Sequence, residues 1–328
     1  MTRAPRRAPS LAPRRVPRVA AALAAALLAA APAAAQDRLT LLLDWFVNPN
    51  HAPIVLAEEL GYFAEQGLEV EVTAPADPSA PPKSVAAGQA DLAISYQPQL
   101  HLQVAEGLPL ARVGTLIATP LNCLMVRADG PVETVADLEG RKVGFSVAGV
   151  EEALLEQLLS TAGLGLDDIE MVNVNFSLSP ALMSGQVDAV IGAYRNFELT
   201  QMELEGVPGE CLYLEELGIP AFDELIYIAN PDRMDEGKIA RFLAATELAV
   251  QHMINDPRGS WETFAATAPE LQDELNERAF FDTLPRFALR PAALDHGRYA
   301  AFEAFLSGAG LMEGTRPVSA LAIDVGAE

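Results

Sequence analysis

Two short segments combine aromatic, amide and carboxylate side chains at spacings that suit recognition of a planar, amine-bearing ligand. In the first, Trp45 follows an apolar run and precedes an amide-rich turn that ends at His51. In the second, Tyr194 and Glu198 are four residues apart, so on a helix they would share one face. An aromatic ring can stack on a heterocycle, and a carboxylate accepts hydrogen bonds from its amino group. The alternatives are that Trp45 belongs to the core and that Glu198 forms a surface ion pair with Arg195.

Alternating strand and helix patterns must position these two segments. Residues 38–44 predict a strand, and residues 52–66 carry apolar residues at helical spacing until Gly67 ends the pattern. A second series of the same kind follows a turn-rich break at residues 128–140. Such alternation indicates an α/β fold with a mainly parallel, helix-covered sheet. Tyr194 follows the carboxyl end of a predicted strand, where open α/β sheets bind ligands.

An internal similarity suggests two related lobes. Residues 88–94, GQADLAI, match residues 185–191, GQVDAVI, and each copy reads as a helix end, a glycine turn and an aspartate that opens a strand. With breaks near residues 127 and 220, we expect lobe 1 to comprise residues 36–126 and 221–328 and lobe 2 to comprise residues 127–220. The second part of lobe 1 is predicted to be mostly helical. Two crossing segments form a hinge, and the cleft between the lobes is the expected ligand site.

The first 35 residues read as a secretory signal peptide. They contain six arginines and no acid, then an alanine-rich apolar run that ends in Ala33-Ala34-Ala35. A membrane anchor or a transit peptide is the alternative, but the run is short for a membrane span. No cysteine follows the expected cleavage point, so a lipid anchor there is not expected. The sequence therefore predicts export to the periplasm.

The charge of the chain argues against nucleic acid as a partner. The formal net charge is −23, and without the leader's six arginines 16 of the 22 basic residues remain against 45 acidic ones, a net charge near −29. Nucleic acid binding depends on Lys and Arg, which displace counterions. The same balance weakly disfavours a strongly anionic ligand.

Motifs for catalysis or metal binding are not found in the sequence. It lacks a GxSxG elbow, a P-loop and an HExxH motif, and its four histidines are scattered. The segment GFSVAG at residues 144–149 is a weak match to a glycine-rich anion loop, and Glu151 and Glu152 already use the dipole of the helix that follows. Cys123 and Cys211 could form a disulfide in an oxidising compartment, which the sequence leaves open.

Between Leu41 and Asn230 the sequence resembles a known family. The motifs that carry the resemblance are LLLDWFVNPNHAPIVLAEELGYFAEQG at residues 41–67, GQADLAIS at 88–95 and GAYRNFELTQMELEG at 192–206. They are similar to those of periplasmic binding proteins for thiamine-pyrimidine precursors and of the related yeast-type pyrimidine synthases. The resemblance implies the type II periplasmic-binding-protein fold, with two lobes of helix-covered mixed sheet joined by a two-segment hinge. Its implied ligand is a 4-amino-2-methylpyrimidine.

The resemblance also implies roles for individual residues. Trp45 would stack on the pyrimidine, Tyr194 would cover its other face and Glu198 would hold the amino group and ring nitrogens. Four further residues would line the cleft, namely Asn50, His51, Tyr96 and Asn122. The return crossing, which contains Asp223 and Glu224, would add two carboxylates where the synthases carry a cysteine-rich segment. Phe46 would face the other way and serve packing.

One departure from the synthases bears on whether the protein is an enzyme. The synthases place a lysine four residues before the histidine that matches His101, to hold pyridoxal phosphate as a Schiff base. That position is Gln97 here, and a glutamine amide cannot form the aldimine. His101 then lacks its partner and would be structural. The resemblance therefore implies a binding protein without a cofactor rather than an enzyme.

The sequence thus predicts an exported, monomeric solute-binding protein of an ABC importer, with a permease and an ATPase as partners. Its expected ligand is a formylaminopyrimidine or hydroxymethylpyrimidine type of thiamine precursor. The alternatives are a sulfonate, taurine or flavin-precursor binder of the same fold, for which Arg195 and Lys142 are the basic candidates, and a synthase-like enzyme. A receptor or sensor lobe is a further option without a supporting module in the sequence.

Overall fold

The computed structural model describes residues 36–326, together with residues 1, 2 and 4. The leader predicted for residues 1–35 therefore lies, apart from those three residues, outside the described part of the chain. The described residues from 36 onward belong to one compact unit. Within the described residues, no helix combines the length and apolar character that a membrane crossing requires.

The first lobe is built on a mixed five-stranded sheet. Its strands, in the order β2-β1-β3-β10-β4, are Leu68–Thr73, Asp37–Leu42, Leu92–Ser95, Leu225–Ala229 and Ala111–Ile117. Strand β1 pairs in parallel with β2 and β3, whereas β10 is antiparallel to both β3 and β4. Strands β3 and β10 are buried over their whole length, and their sequences are therefore continuous apolar runs.

The second lobe repeats this arrangement. Its strands, in the order β7-β6-β8-β5-β9, are Glu170–Asn173, Lys142–Phe145, Ala189–Tyr194, Asn122–Arg127 and Gly209–Tyr213. Strand β5 is antiparallel to β8 and β9, so it occupies the place that β10 has in the first sheet. The two mixed sheets, each covered by helices, confirm the predicted α/β class.

Eleven α-helices occur in the described part of the chain. They are α1 Ala52–Glu59, α2 Tyr62–Glu65, α3 Pro81–Ala86, α4 Gln97–Ala105, α5 Val150–Thr161, α6 Leu178–Met183, α7 Glu198–Leu204, α8 Glu236–Asn255, α9 Pro257–Ala266, α10 Glu274–Thr283 and α11 His296–Gly308. The single helix predicted for residues 52–66 is divided into α1 and α2, because Gly61 adopts a left-handed φ of 77°. The last four helices each follow an aspartate whose side chain caps the first turn.

The chain crosses between the lobes at residues 118–121, between β4 and β5, and again at residues 214–224, between β9 and β10. The boundary predicted near residue 127 therefore follows β5, whereas the crossing precedes it. A buried strand has the same apolar pattern in either sheet, so sequence periodicity could not assign β5 to its lobe.

The helical C-terminal part does not belong to lobe 1 alone. Phe242 and Leu243 of α8 pack into the core of the first lobe. In α11, however, Tyr299 packs with the first lobe while Phe302 and Leu306 join the core of the second. This last helix thus spans the hinge side of both lobes, a correction to the predicted assignment of residues 221–328.

Candidate functional site

A cleft lies between the two sheets and contains about 650 Å³ of space, including its opening to solvent. The first lobe contributes Asp44, Trp45, Asn48, Asn50, Tyr96 and Pro98. The second contributes Asn122, Val147, Val150, Glu151, Leu154, Leu178, Gly192, Tyr194, Phe197 and Glu198, and the return crossing adds Phe222 and Glu224.

Most of the predicted site residues are found in this lining. The structure brings together Trp45, Asn50, Tyr96, Asn122, Tyr194, Glu198 and Glu224. Two predicted residues, His51 and Asp223, do not line the cleft. Both side chains are buried and hydrogen-bond to other groups of the protein instead of facing the cleft.

His51 lies behind Asp44 and orients it. The Asn48 backbone N–H donates to His51 Nδ1 at 3.3 Å, so the proton of the neutral ring is on Nε2. Nε2 then donates to Asp44 Oδ1 at 2.9 Å, and the Tyr96 hydroxyl donates to Asp44 Oδ2 at 3.0 Å. Asp44 is therefore held in the cleft wall by two donors, and His51 acts on the site through it.

Asp223 and Glu224 are consecutive residues but contact different groups. Asp223 accepts from the Thr115 hydroxyl at 2.9 Å and pairs with Arg298. Glu224 turns to the cleft and accepts from the Asn122 backbone N–H at 2.9 Å. Burial raises the pKa of Glu224 to about 7, against the opposing effect of its backbone donors.

Glu198 begins α7 and is buried at the cleft. Its Oε2 atom accepts from the Tyr194 backbone N–H at 2.8 Å. Burial raises the pKa of Glu198 to about 7. The surface ion pair with Arg195, which was the alternative to a ligand-binding role for Glu198, is not formed. Arg195 instead pairs with Glu215 at 2.6 Å and lies over the Tyr213 ring.

Glu151 also lines the cleft, a position that its sequence context did not predict. It lies in the first turn of α5, where its Oε2 atom accepts from the backbone N–H groups of Ser146 and Val147 at 2.7 and 3.1 Å. Burial raises its pKa to about 8. This carboxylate fills the loop at residues 144–149 that weakly resembled an anion site. The acidic first turn was its sequence signal, but helix-dipole stabilisation accounted for that pattern equally well.

Two aromatic residues of the cleft, Trp45 and Tyr194, carry a buried polar atom that has no partner in the described part of the chain. The Trp45 ring contacts Phe176 edge-on, with 4.6 Å between the ring centroids. Among the described residues, neither Trp45 Nε1 nor the Tyr194 hydroxyl has a hydrogen-bond partner, although both atoms are buried. Phe46, expected to serve packing, is instead 43% exposed and lies beside Phe176 and Phe197 at the rim.

Two asparagines of the cleft lining, Asn50 and Asn122, have amide oxygens that already accept hydrogen bonds. The Oδ1 atom of Asn122 accepts from the Gly192 backbone N–H at 3.0 Å. The Oδ1 atom of Asn50 accepts from the Asn196 side chain at 2.7 Å. With both oxygens engaged, the NH₂ groups remain for a ligand. The cleft thus offers amide donors beside carboxyl acceptors.

None of the described residues that line the cleft is lysine, arginine or histidine. Lys142, one of the two basic candidates for an anionic ligand, is exposed and faces Glu170 at 3.4 Å. Across the part of the chain that the structure describes, no group of histidine, cysteine, aspartate and glutamate could hold a metal ion. The site chemistry is therefore that of carboxyl, amide and aromatic groups.

Gln97 and His101 lie outside the cleft lining. The Gln97 Oε1 atom accepts from the Asp223 backbone N–H at 2.8 Å, and Gln97 Nε2 lies 3.3 Å from His101 Nε2. His101 Nδ1 contacts Glu303 of α11. These side chains tie α4 to the return crossing and to the last helix, a structural arrangement that does not face a ligand.

A disulfide joins Cys123 of β5 to Cys211 of β9, with 5.5 Å between their Cα atoms. The sequence left this pairing open, since adjacency of the two strands could not be deduced from it. The bridge links a central strand of the second sheet to its edge strand, next to the cleft residue Asn122.

The two mixed-sheet lobes and the cleft between them define a periplasmic-binding-protein fold. The structure of the alkanesulfonate-binding protein SsuA from Xanthomonas axonopodis pv. citri bound to MOPS is similar, with a TM-score of 0.67, 88% of this chain and 98% of that chain covered, and 18% identity. Within this fold the chain belongs to the NMT1/THI5-like family, whose model matches residues 48–260.

Relatives of this family include both binding proteins and synthases. A thiamine biosynthesis protein of Haemophilus influenzae is 47% identical over 89% of this chain and 93% of its own length. The formylaminopyrimidine-binding protein of Halalkalibacterium halodurans is 33% identical over 68% of each chain. The 4-amino-5-hydroxymethyl-2-methylpyrimidine phosphate synthase of Legionella pneumophila is 27% identical over 77% of this chain and 81% of its own. The resemblance inferred from the sequence motifs is thus confirmed.

Proposed function

We propose that this protein is the extracytoplasmic solute-binding component of an ABC importer for a 4-amino-2-methylpyrimidine thiamine precursor, of the formylaminopyrimidine or hydroxymethylpyrimidine type. Its leader would direct export to the periplasm, where a monomer delivers the ligand to a permease that an ATPase drives. The observation that carries the proposal is the lining of the cleft. Its described residues include Asp44, Glu151, Glu198 and Glu224 but no basic side chain.

An aminopyrimidine matches this lining group by group. Its amino hydrogens would donate to Glu198, its ring nitrogens would accept from the amides of Asn50 and Asn122, and its flat faces would stack on Trp45 and Tyr194. A hydrogen bond with a charged partner stabilises binding by about 1.5–3 kcal/mol. Because these groups come from both lobes, the complete set of contacts exists only when the lobes meet, and the ligand therefore favours the closed state.

A sulfonate fits the same lining poorly. The backbone donors of residues 146 and 147, which an anion could have used, are occupied by the carboxyl of Glu151. None of the described lining residues offers a cation to an anion in the cleft. The similarity to the SsuA structure, at 18% identity, extends to the fold and does not indicate a shared ligand.

A binding role, rather than catalysis, is supported by position 97. Gln97 has no amine for an imine, its side chain is engaged with the return crossing, and the described cleft lining lacks a cation for the phosphate of pyridoxal phosphate. The residues therefore do not fit that cofactor.

A thermal-shift screen of the mature protein tests the proposal. The panel contains hydroxymethyl-, aminomethyl- and formylaminomethyl-substituted aminopyrimidines, riboflavin, taurine, an alkanesulfonate and pyridoxal phosphate. A pyrimidine present at about 100 times its Kd should add about 2.7 kcal/mol to the free energy of unfolding and raise Tm by several degrees. A shift with taurine or the alkanesulfonate alone would contradict the proposal, and absorbance of an aldimine with pyridoxal phosphate would restore the enzyme alternative.

A further inference from the structure

Three buried side chains from distant segments meet beside the cleft. Asn50 follows β1 in the first lobe, Asn196 follows β8 in the second, and Thr283 ends α10. The Asn196 amide nitrogen donates to Asn50 Oδ1 at 2.7 Å and to Thr283 Oγ1 at 2.6 Å. Of the three, only Asn50 lines the cleft.

The chain of hydrogen bonds fixes which end of each amide faces which partner. The Thr283 hydroxyl lies 2.6 Å from the Ala279 carbonyl oxygen and 3.1 Å from Asn50 Oδ1, and its single proton can go to either acceptor. In both cases the Thr283 oxygen is free to accept, and it accepts from Asn196. Asn196 then donates its second amide proton to Asn50 Oδ1. The NH₂ group of Asn50 is left for the cleft.

The reverse orientation of the amides is less favourable. In the present arrangement Asn196 Oδ1 is buried and has no partner among the described residues. If the Asn196 amide were flipped by 180°, its NH₂ group would occupy the position now held by Oδ1, and two buried N–H donors would be unsatisfied. Buried N–H groups without partners are rarer in proteins than under-used carbonyl oxygens. After such a flip the Thr283 hydroxyl would have to donate its single proton to Asn196 Oδ1. Its hydrogen bond to the Ala279 carbonyl oxygen would then be lost.

We propose that Asn196 and Thr283 are positioning residues that set the hydrogen-bond polarity of the cleft at Asn50. They hold its amide with NH₂ toward the ligand, so the ligand atom at this point must be an acceptor. This inference rests on the proposed function. For an aminopyrimidine the acceptor is a ring nitrogen, so the amino group must point to a carboxylate and not to Asn50. Because Asn50 and Asn196 belong to different lobes, the polarity is set only when the lobes are in contact.

A double-mutant cycle tests this assignment. Calorimetry with 4-amino-5-hydroxymethyl-2-methylpyrimidine would give Kd for the wild type, Asn50→Ala, Asn196→Ala and the double variant. Each single variant should bind about tenfold more weakly, in line with about 1.4 kcal/mol for one hydrogen bond. The double variant should bind no more weakly than Asn50→Ala, because Asn196 acts through Asn50. Asn276→Ala is the control, since this buried asparagine of α10 contacts Glu270 and Asp273 instead.

Thr283 supplies a second test that does not remove an amide. Thr283→Val removes the acceptor at nearly constant volume and should raise Kd, whereas Thr283→Ser keeps the hydroxyl and should restore binding. Losses that add in the double variant, or a Thr283→Val protein with wild-type Kd, would overturn the assignment while pyrimidine binding by the wild type stands. A wild type that binds no pyrimidine would overturn the proposed function and this assignment with it.

Discussion

The carboxyl group of Glu151 lies directly against the backbone of Gly192. A β-carbon at position 192 would be 2.2 Å from Glu151 Oε1, far inside any real contact distance. Gly192 also has a φ of 94°, which side chains other than hydrogen rarely allow. The glycine in the middle of β8 therefore makes room for a buried acid at the bottom of the cleft.

Substitution of this glycine should affect ligand binding more than stability. Gly192→Ala would push the Glu151 carboxyl out of place and into the ligand space, and we expect pyrimidine Kd to rise at least tenfold in calorimetry. Gly185→Ala is the matched control, because Gly185 has a φ of 73° but nothing within 4 Å of an added β-carbon. Left-handed backbone costs an alanine about 1–2 kcal/mol in either variant. Equal Kd values for the two variants would contradict the role of Glu151 in the cleft.

Removal of the Glu198 carboxylate should weaken pyrimidine binding. Glu198→Ala deletes the proposed acceptor for the amino group, and the loss should be about 1.5–3 kcal/mol, roughly 10- to 150-fold in Kd. Glu205→Ala serves as the control, since this exposed glutamate immediately follows the same helix. Calorimetry at pH 8, above the Glu198 pKa of about 7, measures both variants. Unchanged affinity in Glu198→Ala would remove this residue from the site.

The ligand-free protein should lose stability as pH rises from about 5 to 8. Burial raises the pKa values of Glu151 to about 8 and of Glu198 and Glu224 to about 7, from 4.5. Between pH 4.5 and 8 the folded state therefore binds more protons than the unfolded state, so the free energy of unfolding falls with rising pH. Calorimetric Tm values should drop by several degrees over this window.

Glu151→Gln provides the internal comparison for this pH dependence, because its amide cannot ionise. Its Tm should decline less steeply between pH 5 and 8 than that of the wild type. A wild-type Tm that increases over the same window would show that the cleft acids are ionised at little cost and would contradict the proposed effect of burial.

The disulfide should stabilise the second lobe. Cys123 and Cys211 are separated by 88 residues in the chain, and loss of such a bridge destabilises a protein by about 2–5 kcal/mol. We expect Tm of the Cys123→Ser/Cys211→Ser variant to fall by several degrees, and dithiothreitol to produce the same fall in the wild type. Complete reduction, verified by thiol titration, without a change in Tm would count against this expectation.

The sequence was sufficient to predict the class of fold and the first set of cleft candidates. Alternating apolar patterns predicted the βα series, and the motifs around Trp45 and Tyr194 indicated the family. These features are local, so they can be read from short segments of chain. The resemblance to the synthases also implied that Gln97 stands where they carry a lysine.

The remaining features depend on contacts between distant segments. Whether β5 belongs to the first or the second lobe depends on strand pairing, which an apolar run does not specify. His51 and Asp223 could be separated from the cleft only after Asp44 and Arg298 were found beside them. Glu151 enters the site because Gly192 lacks a side chain, a relationship across 41 positions of the printed sequence.

Binding of an amine-bearing pyrimidine in the acidic cleft is the basis of the proposed function. Isothermal titration calorimetry of the mature wild-type protein at pH 7 tests it most directly, with 4-amino-5-hydroxymethyl-2-methylpyrimidine, its formylaminomethyl analogue and ethanesulfonate as parallel titrants. We predict one-to-one binding of at least one pyrimidine with a Kd of about 1 μM or tighter, near −8 kcal/mol, and no heat from ethanesulfonate. Saturable binding of ethanesulfonate without binding of either pyrimidine would show that the protein is not a pyrimidine-binding protein.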